Sequence, residues 1–574
     1  MPYNCYMFRT YFRTGFAIPA LVLIISLFVY LSALCPGISL GDAGELISAS
    51  YTLGIAHPPG YPVYTLLGKL FTFLPFGTIA GRINLMTAIL GALAGMFMSI
   101  FLALITKKAS SGILALILVF SPLFWECSVA AEAYSLNMFF ISSLLLLAYR
   151  STGSFRGALF SGLIFGISLG NHDTMILLLP LFLYFYSRGK KYSFKSSGAF
   201  LLAGAFGFLL TAYYMYARAA ANPLINWGDP SNIGRLFNHI LRREYGAMTQ
   251  MPYSIGLFFQ QLYHYLAFLW SQFFILLPVA VIGAVQLYQK NRRAFVLTIY
   301  VFLTFMAVPL IINYDPSPRM LDIVKVFFLP SIFAVSVFTA FFLANFPKRF
   351  PERFFILVAF CMFESNSRAA DMSKNTEARS LASDILSSCS KDSVLIVGGD
   401  NPSYTTIYMK VCEQARPDLL LINESGTMMG QAFGRDFFEL TPAKKAERRA
   451  FVYRELSKTK QLYFTAGTML SNEDEKIFVP CGLVYALNLS GKLKPVPPPA
   501  APFNMLFARP SDDYLMNELR ARYFYQTGEY KRWIGKRPEA VSAYNTAYGF
   551  LYMDPGVAKL KERTDRKLLQ KTMF

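Results

Sequence analysis

Two carboxylates open the segment GDAGELISASYTLGIAHPPGYPVY, residues 41–64. Asp42 and Glu45 are three positions apart, so on a helix that starts here both side chains share one face near the positive end of the helix dipole. His57 and three prolines follow, and prolines exclude the residues before them from the helical region. The pattern predicts an acidic helix start beside a rigid loop, with Asp42 able to accept a proton. The structural alternative is a capping box formed by Asp42 and Glu45.

Basic side chains in two later segments are candidates for binding a phosphate group. They are Arg242, Arg243, Arg319 and Lys325. Arg and Lys hold phosphate oxygens through charge-assisted hydrogen bonds. On one helix over residues 235–246, His239 would share a face with Arg242 and Arg243 and could meet a common anion. The alternative is that these cations pair with Glu244, Asp322 or lipid headgroups.

A third group of polar residues lies in segments that separate apolar runs. These residues are candidates for lining a sugar or acceptor pocket: His57, Glu132, His172, Asp173, Asp229 and His239. Ionisable groups at the edge of an apolar bundle favour a functional role, although short loops between apolar segments also have to be polar. The spacing of Gly162, Gly166 and Gly170 instead indicates close packing between helices.

The elements that must position these residues are strongly apolar. The chain has 574 residues, of which 54% are apolar and only 15% charged, and its mean hydropathy is +0.39. A soluble domain is about one quarter charged, so an ordinary soluble enzyme is excluded. Apolar runs close to or above the length needed to cross a bilayer lie at about 16–35, 83–106, 111–127, 134–149, 157–170, 174–187, 197–217, 268–289, 294–313, 323–344 and 352–364. We expect about 11 transmembrane helices over residues 1–364; the alternative is that one pair of runs is re-entrant.

The charges between these runs predict an orientation. With the N-terminus in the cytoplasm, 16 of the 24 basic residues before residue 364 lie on the cytoplasmic side, as the positive-inside rule requires. Nine of the ten acidic residues in the same region then lie at or near the opposite face. The first run has no signal-peptide cleavage pattern, so we expect it to be retained as an anchor. The C-terminal part of the chain is therefore expected outside the cytoplasm.

The remainder of the chain has the charge balance of a soluble protein, with 30 basic and 24 acidic residues after residue 363. Short β-rich runs at 394–400, 419–423 and 461–467 alternate with helical stretches and predict a parallel α/β domain over residues 365–493. A proline-rich linker is expected over 494–512, followed by a helical tail, 513–574, that resembles one or two tetratricopeptide units. Fewer than three such repeats do not stack stably alone, so the tail should pack on the α/β domain and dock a partner.

Several kinds of site are disfavoured by the sequence. Seven cysteines form no CxxC pair or Cys/His cluster, and the four histidines are scattered, so no metal site or disulfide framework is predicted. We find no nucleotide-binding signature and identify no cofactor; a requirement for a divalent metal stays open. The net charge of +20 does not indicate a nucleic-acid partner, because basic loops between apolar runs follow from orientation.

The sequence contains, in this order, the motifs GDAGEL, LGIAHPPGYPVY, AEAYSLN, GISLGNHDTM, NWGDP with RREYG, and FFLP. Through these motifs it resembles a family of polytopic membrane proteins known as a domain of unknown function. The family includes an animal protein O-mannosyltransferase and is similar to the GT-C glycosyltransferases. The resemblance spans about residues 16–420. It implies a multi-span fold, a sugar donor linked to a lipid phosphate, and an acidic catalytic residue in the first outer loop. That residue corresponds to Asp42, with Glu45 as its neighbour.

We therefore predict a membrane hexosyltransferase that moves a sugar, with mannose favoured, from a polyprenyl-phosphate donor to an extracytoplasmic acceptor by a single-base inverting mechanism. Protein hydroxyl groups are the favoured acceptor and glycans the alternative; membrane lipids are further partners. The family's range favours a bacterial inner membrane with a periplasmic C-terminal domain, and the endoplasmic reticulum membrane is the alternative. A transporter or lipid-carrier flippase would instead place ionisable groups at mid-membrane in symmetric halves, and we find no internal repeat.

Overall fold

The computed structural model of the chain describes residues 16–151, 154–187, 193–245, 251–346, 353–429, 431–466, 468, 477–500 and 513–551. Some predicted features lie outside these residues. They are the N-terminal arginines, the basic residues at 188–191 and 348–349, part of the proline-rich linker and the tail beyond residue 551.

Helices account for most of the described residues up to residue 370. They are α1 (Ala17–Ser32), α2 (Ala43–Thr52), α3 (Pro62–Thr72), α4 (Ile79–Thr106), α5 (Leu116–Val119), α6 (Pro122–Val129), α7 (Tyr134–Arg150), α8 (Phe155–Leu169), α9 (Leu179–Ser187), α10 (Ser193–Ala220), α11 (Ile233–Ile240), α12 (Ile255–Phe273), α13 (Leu276–Lys290), α14 (Arg292–Ile312), α15 (Pro318–Lys325), α16 (Leu329–Ala344) and α17 (Arg353–Ala370). Short 3-10 turns at Ala109–Ala115, Asp173–Leu178, Arg243–Tyr245 and Val326–Phe328 connect several of them.

Membrane-spanning character is concentrated in fewer elements than the eleven predicted runs. By length and composition, the described residues contain four helical stretches able to cross a bilayer: Ile79–Thr106, Phe194–Ala220, Arg292–Ile312 and Pro318–Ala344. Two bent pairs, Ala109–Val119 with Pro122–Val129 (75°) and Ile255–Phe273 with Leu276–Lys290 (97°), raise the number to six if each pair is one span. Three shorter apolar helices add to the bundle. The bends and short lengths explain why apolar runs outnumber these spans, and eleven spans stay a prediction.

Small residues bring two helices of the bundle together. A Cβ atom on Gly162 would clash with the Phe200 backbone, and one on Gly166 would clash with the carbonyl oxygen of Gly204. A Cβ atom on Gly170 would lie 2.6 Å from the Thr211 hydroxyl oxygen. The stripe of α8 therefore packs directly on α10, as its spacing predicted, because small side chains let helix backbones approach closely.

A five-stranded sheet follows the helical bundle. Its strands are β1 (Val394–Val397), β2 (Leu420–Asn423), β3 (Leu462–Thr465), β4 (Phe478–Cys481) and β5 (Val484–Leu487), in the order β2-β1-β3-β5-β4. β1 pairs in parallel with β2 and β3, whereas β5 is antiparallel to β3 and β4. The three parallel strands lie at the predicted runs. The β4–β5 hairpin was not predicted.

Five helices surround this sheet: α18 (Glu377–Ser387), α19 (Asp400–Val411), α20 (Pro442–Ser457), α21 (Tyr514–Trp533) and α22 (Arg537–Leu551). The last two form a helical pair in which the Gly528 backbone lies against the Tyr544 ring. Tyr523 of α21 donates a hydrogen bond to Asp384 of α18, and the Arg522 guanidinium donates to the Ala466 carbonyl at 2.6 Å. The described part of the tail thus packs on the α/β domain, as expected. Its likeness to tetratricopeptide units stays a prediction.

Candidate functional site

The first turn of helix α2 contributes Asp42 and Glu45 to a cluster of polar side chains with His57, Asp173 and Arg242, which is called the recess below. Gly41 has a φ of +78°, a conformation that glycine adopts without the Cβ penalty of other residues, and it turns the chain into the helix. Asp42 occupies the N-cap position with helical backbone angles, yet within the described structure its side chain makes no capping hydrogen bond. The Asp42 carboxylate, which is 42% exposed, is therefore available to other partners.

His57 lies between the two carboxylates of α2. The Glu45 Oε1 atom accepts a hydrogen bond from the His57 backbone N–H at 2.6 Å, and Glu45 Oε2 lies 2.7 Å from His57 Nδ1. The opposite ring nitrogen, Nε2, lies 3.8 Å from Asp42 Oδ2. Glu45 is fully buried. Because both of its oxygens contact His57, Glu45 holds His57 and does not form the capping box.

The charges of Asp42, Glu45 and His57 affect one another. Desolvation by the surrounding protein raises the pKa of the partly exposed Asp42 carboxylate above its ordinary value, against the opposing effect of His57, and the Glu45 charge raises it further. Burial alone would lower the pKa of His57, but the charges of Glu45 and Asp42 and the hydrogen bond to Glu45 raise it to about 9. His57 is consequently an imidazolium at neutral pH, and the carboxylates on either side stabilise it.

Arg242 lies on the same recess, where it binds a different acid. Its Nε atom donates to Asp173 Oδ2 at 2.7 Å and its Nη2 atom donates to Asp173 Oδ1 at 3.1 Å, a two-point contact. The Nη2 atom is also 3.5 Å from His172 Nε2. The positive charge of Arg242 is near enough to lower the pKa of Asp42 against the dominant effect of burial. The structure therefore brings Asp42, His57, Asp173, His172 and Arg242 together.

The prediction that one helix carries His239, Arg242 and Arg243 is wrong. Helix α11 ends at Ile240, and Arg242 has a φ of +53°, so the chain turns before the two arginines. The buried His239 ring instead approaches the Ala56 carbonyl through Nε2 at 3.1 Å. Arg243 donates to the Asn238 side chain at 3.2 Å. The three side chains consequently do not face one anion.

The cations predicted near the tenth apolar run lie at a second edge of the recess. Lys325 pairs with Asp322 at 2.6 Å and with Glu126 at 3.2 Å. Arg319 lies on α15, one helical turn before Asp322, and its charge opposes the increase in the pKa of Asp400 caused chiefly by burial. Lys325 is thus already paired with acids, as the alternative interpretation of the cations expected.

Glu132 and Asp229 lie in different environments. Burial, followed by the charges of Asp42 and Glu126, raises the pKa of Glu132 to about 8, so its carboxyl group is neutral at pH 7 and close to Asp42. Asp229 is 2% exposed and accepts hydrogen bonds at 2.6 Å from both Arg235 and Arg435. Its carboxylate therefore holds the 226–232 segment to the α/β domain and is occupied by these partners.

Aromatic rings also line the recess, and the sequence analysis did not include them among the candidate residues. Tyr61 has its ring centroid 4.9 Å from that of His57 and 6.2 Å from that of His172. Trp227 lies 6.0 Å from His57, donates its indole N–H to Glu244 at 2.9 Å, and lies 6.4 Å from Tyr404 of α19. Tyr61 and Trp227 are in the HPPGYP and NWGDP segments, so aromatic residues in the motifs were the available signal. Such rings suit contacts with the apolar faces of a sugar or peptide.

The α/β domain closes one side of the recess. The Gly41 backbone N–H donates to Asn401 Oδ1 at 3.0 Å, and a Cβ atom on Gly44 would clash with the Tyr404 carbonyl oxygen. Helix α19 thus packs directly against the first turn of α2. Among the described residues, no group of three or more His, Cys, Asp and Glu side chains is arranged to hold a metal ion.

Comparison with known proteins gives a family match over a segment that contains Asp42, Glu45, His57, Glu132, His172 and Asp173. Residues 42–195 match the model described as the N-terminal domain of the protein O-mannosyl-transferase TMEM260. The mouse protein O-mannosyl-transferase TMEM260 is 28% identical over 421 residues, which are 67% of this chain and 59% of the mouse protein. The protein O-mannosyl-transferase tmem260 of Dictyostelium discoideum is 25% identical over 480 residues, 72% of this chain and 58% of the relative. The chain therefore spans less than two thirds of the length of the curated relatives that it matches.

A solved structure shares the architecture. The crystal structure of ArnT from Cupriavidus metallidurans, bound to undecaprenyl phosphate, has a TM-score of 0.54 to this chain. The similarity covers 82% of this chain and 98% of that protein, at 12% sequence identity. At that identity the likeness concerns the fold. The family match and the two relatives confirm the predicted resemblance to a family that includes a protein O-mannosyltransferase.

Proposed function

We propose that this chain is a membrane glycosyltransferase that moves a sugar, with mannose favoured, from a polyprenyl-phosphate donor to a hydroxyl group of a protein acceptor. The observation that carries the proposal is the partly exposed Asp42 carboxylate, 3.8 Å from the His57 ring and within the field of Arg242. Support comes from the matched relatives, which are protein O-mannosyl-transferases, and from the fold shared with ArnT in its complex with undecaprenyl phosphate.

Asp42 is the proposed base. Its Oδ atom removes the proton of the acceptor hydroxyl while the acceptor oxygen forms a bond to the anomeric carbon of the sugar. The bond between that carbon and the phosphate oxygen breaks on the opposite face, so the configuration inverts. The proton remains on Asp42 and the electron pair leaves with the polyprenyl phosphate. Glu45 acts through His57, which it holds against Asp42.

The leaving phosphate gains negative charge during this step and needs nearby cations. Arg242, Arg319 and Lys325 are the proposed donors to its oxygens, and Arg243 is a weaker candidate because it binds Asn238 on an exposed surface. Arg242 and Lys325 are paired with Asp173, Asp322 and Glu126. These acids hold the cations in place, and the donor phosphate would share or replace the contacts.

Polar and aromatic side chains around the base are proposed to orient the sugar and the acceptor. The neutral Glu132 carboxyl can donate a hydrogen bond, and burial lowers the pKa of His172 so that its ring is neutral. Asp173 and the rings of Tyr61 and Trp227 complete the walls. Asp229 and His239 would contribute from behind this wall by supporting the segments that carry Trp227 and Arg242.

We place the recess and the α/β domain on the extracytoplasmic side, with the N-terminus in the cytoplasm. The basic connections between the apolar runs support this orientation. A bacterial inner membrane is favoured, which would make the α/β domain periplasmic, and the endoplasmic reticulum membrane is the alternative.

The proposal is tested with purified protein in detergent, a radiolabelled polyprenyl-phosphate mannose and a peptide rich in Ser and Thr. We expect label to move to the peptide in the wild type and not in Asp42→Asn, with both proteins equally expressed and monodisperse. Asp315→Asn is the control, since Asp315 is exposed and has no role in the proposed chemistry.

The outcomes separate enzyme from transporter. Transfer in detergent, where no compartments exist, would exclude a pure flippase or transporter. Movement of the donor across vesicle membranes without any sugar transfer would support the flippase instead. If Asp42→Asn transferred sugar as fast as the wild type, Asp42 would not be the base.

A further inference from the structure

Helices α2 and α19 are in contact at one side of the proposed site and point in the same general direction. Contacts join Gly41 to Asn401, Gly44 to Tyr404, and Ser48 to Cys412, the last pair with 4.0 Å between Oγ and Sγ. The residue numbers increase together on both helices, which shows that their N-terminal ends lie side by side. The first turn of α2, which carries Asp42, is thus seated on the first turn of a helix from the α/β domain.

Asn401 is the polar link at this junction. It is 1% exposed. Its Oδ1 atom accepts the Gly41 backbone N–H at 3.0 Å, and its Nδ2 atom donates to Glu518 Oε2 at 3.0 Å. Gly41 is the residue whose left-handed backbone turns the chain into Asp42. Asn401 therefore fixes the peptide group between Leu40 and Gly41, one residue before Asp42.

The link continues into the helical tail. Glu518 of α21 accepts a hydrogen bond from Arg522 Nε at 3.0 Å through its other oxygen, Oε1. Arg522, which is 8% exposed, donates through Nη1 to the Ala466 carbonyl at the end of β3 at 2.6 Å. The chain of contacts thus runs from the sheet through Arg522, Glu518 and Asn401 to Gly41, and each donor in it faces an acceptor.

We propose that Asn401, oriented by Glu518 and Arg522, is a positioning residue for Asp42, so that the α/β domain and its tail set the geometry of the reaction. The inference rests on the proposed function of Asp42. The Asp42 side chain makes no capping hydrogen bond within the described structure and lies 3.8 Å from His57, so the backbone that leads into the helix contributes to its position. A displacement of about 1 Å at a reacting group can cost about 100-fold in rate.

The test reverses the direction of one hydrogen bond. In Asn401→Asp, two carboxylates face each other, and in Glu518→Gln, the single amide oxygen cannot take both positions that accept from Asn401 and from Arg522. In the double variant, the new amide at 518 donates to the new carboxylate at 401, which still accepts the Gly41 N–H. Total charge is the same as in the wild type. Only a role for this hydrogen-bond pattern predicts that the double variant recovers what each single variant loses.

Transfer is measured in detergent with the labelled polyprenyl-phosphate mannose and the peptide. We expect kcat to fall by about tenfold to 100-fold in each single variant, KM for the lipid donor to change little, and the double variant to recover most of kcat. Glu413→Gln, whose carboxylate pairs with Arg379 at the surface, is the control and should behave as the wild type. Full rates in both single variants, or no recovery in the double variant, would overturn the positioning role.

A second readout is independent of activity. A water-soluble carbodiimide with glycine ethyl ester labels accessible carboxyl groups, and mass spectrometry reports the labelling of Asp42. We expect the labelling of Asp42 to differ from wild type in each single variant and to return in the double variant. Unchanged labelling in the single variants would contradict the inference even if no transfer is detected. Normal transfer by Asp42→Asn would instead contradict the proposed function.

Discussion

Glu45 holds His57 at two points: one carboxylate oxygen accepts the His57 backbone N–H at 2.6 Å and the other lies 2.7 Å from Nδ1. The contact joins the first turn of a helix to a loop 12 residues later and leaves the second ring nitrogen directed at Asp42, 3.8 Å away. A fully buried carboxylate is costly unless it is paired. His57 supplies that pairing and thereby connects the stability of the loop to the charge of the proposed base.

The first prediction concerns this contact. Glu45→Gln keeps an acceptor for the His57 backbone N–H but removes the charge that favours the imidazolium. We expect transfer at neutral pH to fall by about tenfold or more, since charge-assisted hydrogen bonds to buried groups contribute about 1.5–3 kcal/mol. Initial rates in detergent measure the effect. Glu455→Gln, which affects only a surface pair with Lys458, is the control, and equal rates for the two variants would contradict a role for Glu45.

The second prediction is a pH dependence. Asp42 must be ionised to act as base, and burial raises its pKa, so the rate should rise with pH above the ordinary range of an aspartate, about 4. The rate should fall as pH passes about 9, where His57 loses its proton. A neutral His57 that keeps Nδ1–H toward Glu45 presents a lone pair, not a proton, to Asp42. Profiles of kcat/KM between pH 5 and 10 report the two apparent values of the coupled groups.

The variant His57→Gln tests whether His57 causes the decline in rate near pH 9. We expect it to lose the decline near pH 9 and to keep the rise on the acidic side. The free energy of unfolding should depend on pH through His57 as well. The pKa of His57 is raised on folding from 6.5 to about 9. The stabilisation that its charged form provides is therefore complete below pH 6.5 and is lost as pH rises through about 9. An alkaline decline that is identical in wild type and variant would assign it to another group.

The sequence could predict the parts of the site that depend on local spacing. The helix start at Asp42 and Glu45, the glycine stripe of α8 and the three parallel strands all follow from periodicity and turn residues. The Glu45–His57 contact could not be predicted, because it depends on the path of the loop between them. Nor could the link from Gly41 to Asn401, which are 360 residues apart.

The roles of the two neighbouring arginines could not be predicted from the sequence either. Arg242 and Arg243 appear equivalent in the sequence, and both were candidates for binding phosphate. The chain turns at Arg242, which has a φ of +53°, and this turn sends one guanidinium toward Asp173 and the other toward Asn238. A helical wheel cannot represent a helix that ends at Ile240. The roles of neighbouring arginines were therefore separated only by the backbone conformation.

The third prediction uses these neighbours as a matched pair. Arg242→Lys removes the two-point contact with Asp173, since a lysine cannot reproduce the planar arrangement of donors. We expect kcat/KM for the lipid donor to fall by about tenfold or more, in proportion to the loss of one charge-assisted bond. Arg243→Lys should stay within about twofold of wild type, because surface contacts contribute little. Equal losses in both variants would contradict the distinction between the two arginines.

The fourth prediction concerns the bundle that carries the site. Gly166 of α8 lies so close to the Gly204 carbonyl oxygen of α10 that an added Cβ atom would clash with backbone. Gly166→Ala should therefore separate the two helices locally and destabilise the protein by about 1–3 kcal/mol. Gly198→Ala, on α10 and without a described neighbour within 4 Å of the added Cβ atom, should be neutral or stabilising by up to about 1 kcal/mol. Thermal unfolding in detergent compares the two variants, and similar midpoints for both would contradict direct backbone packing at Gly166.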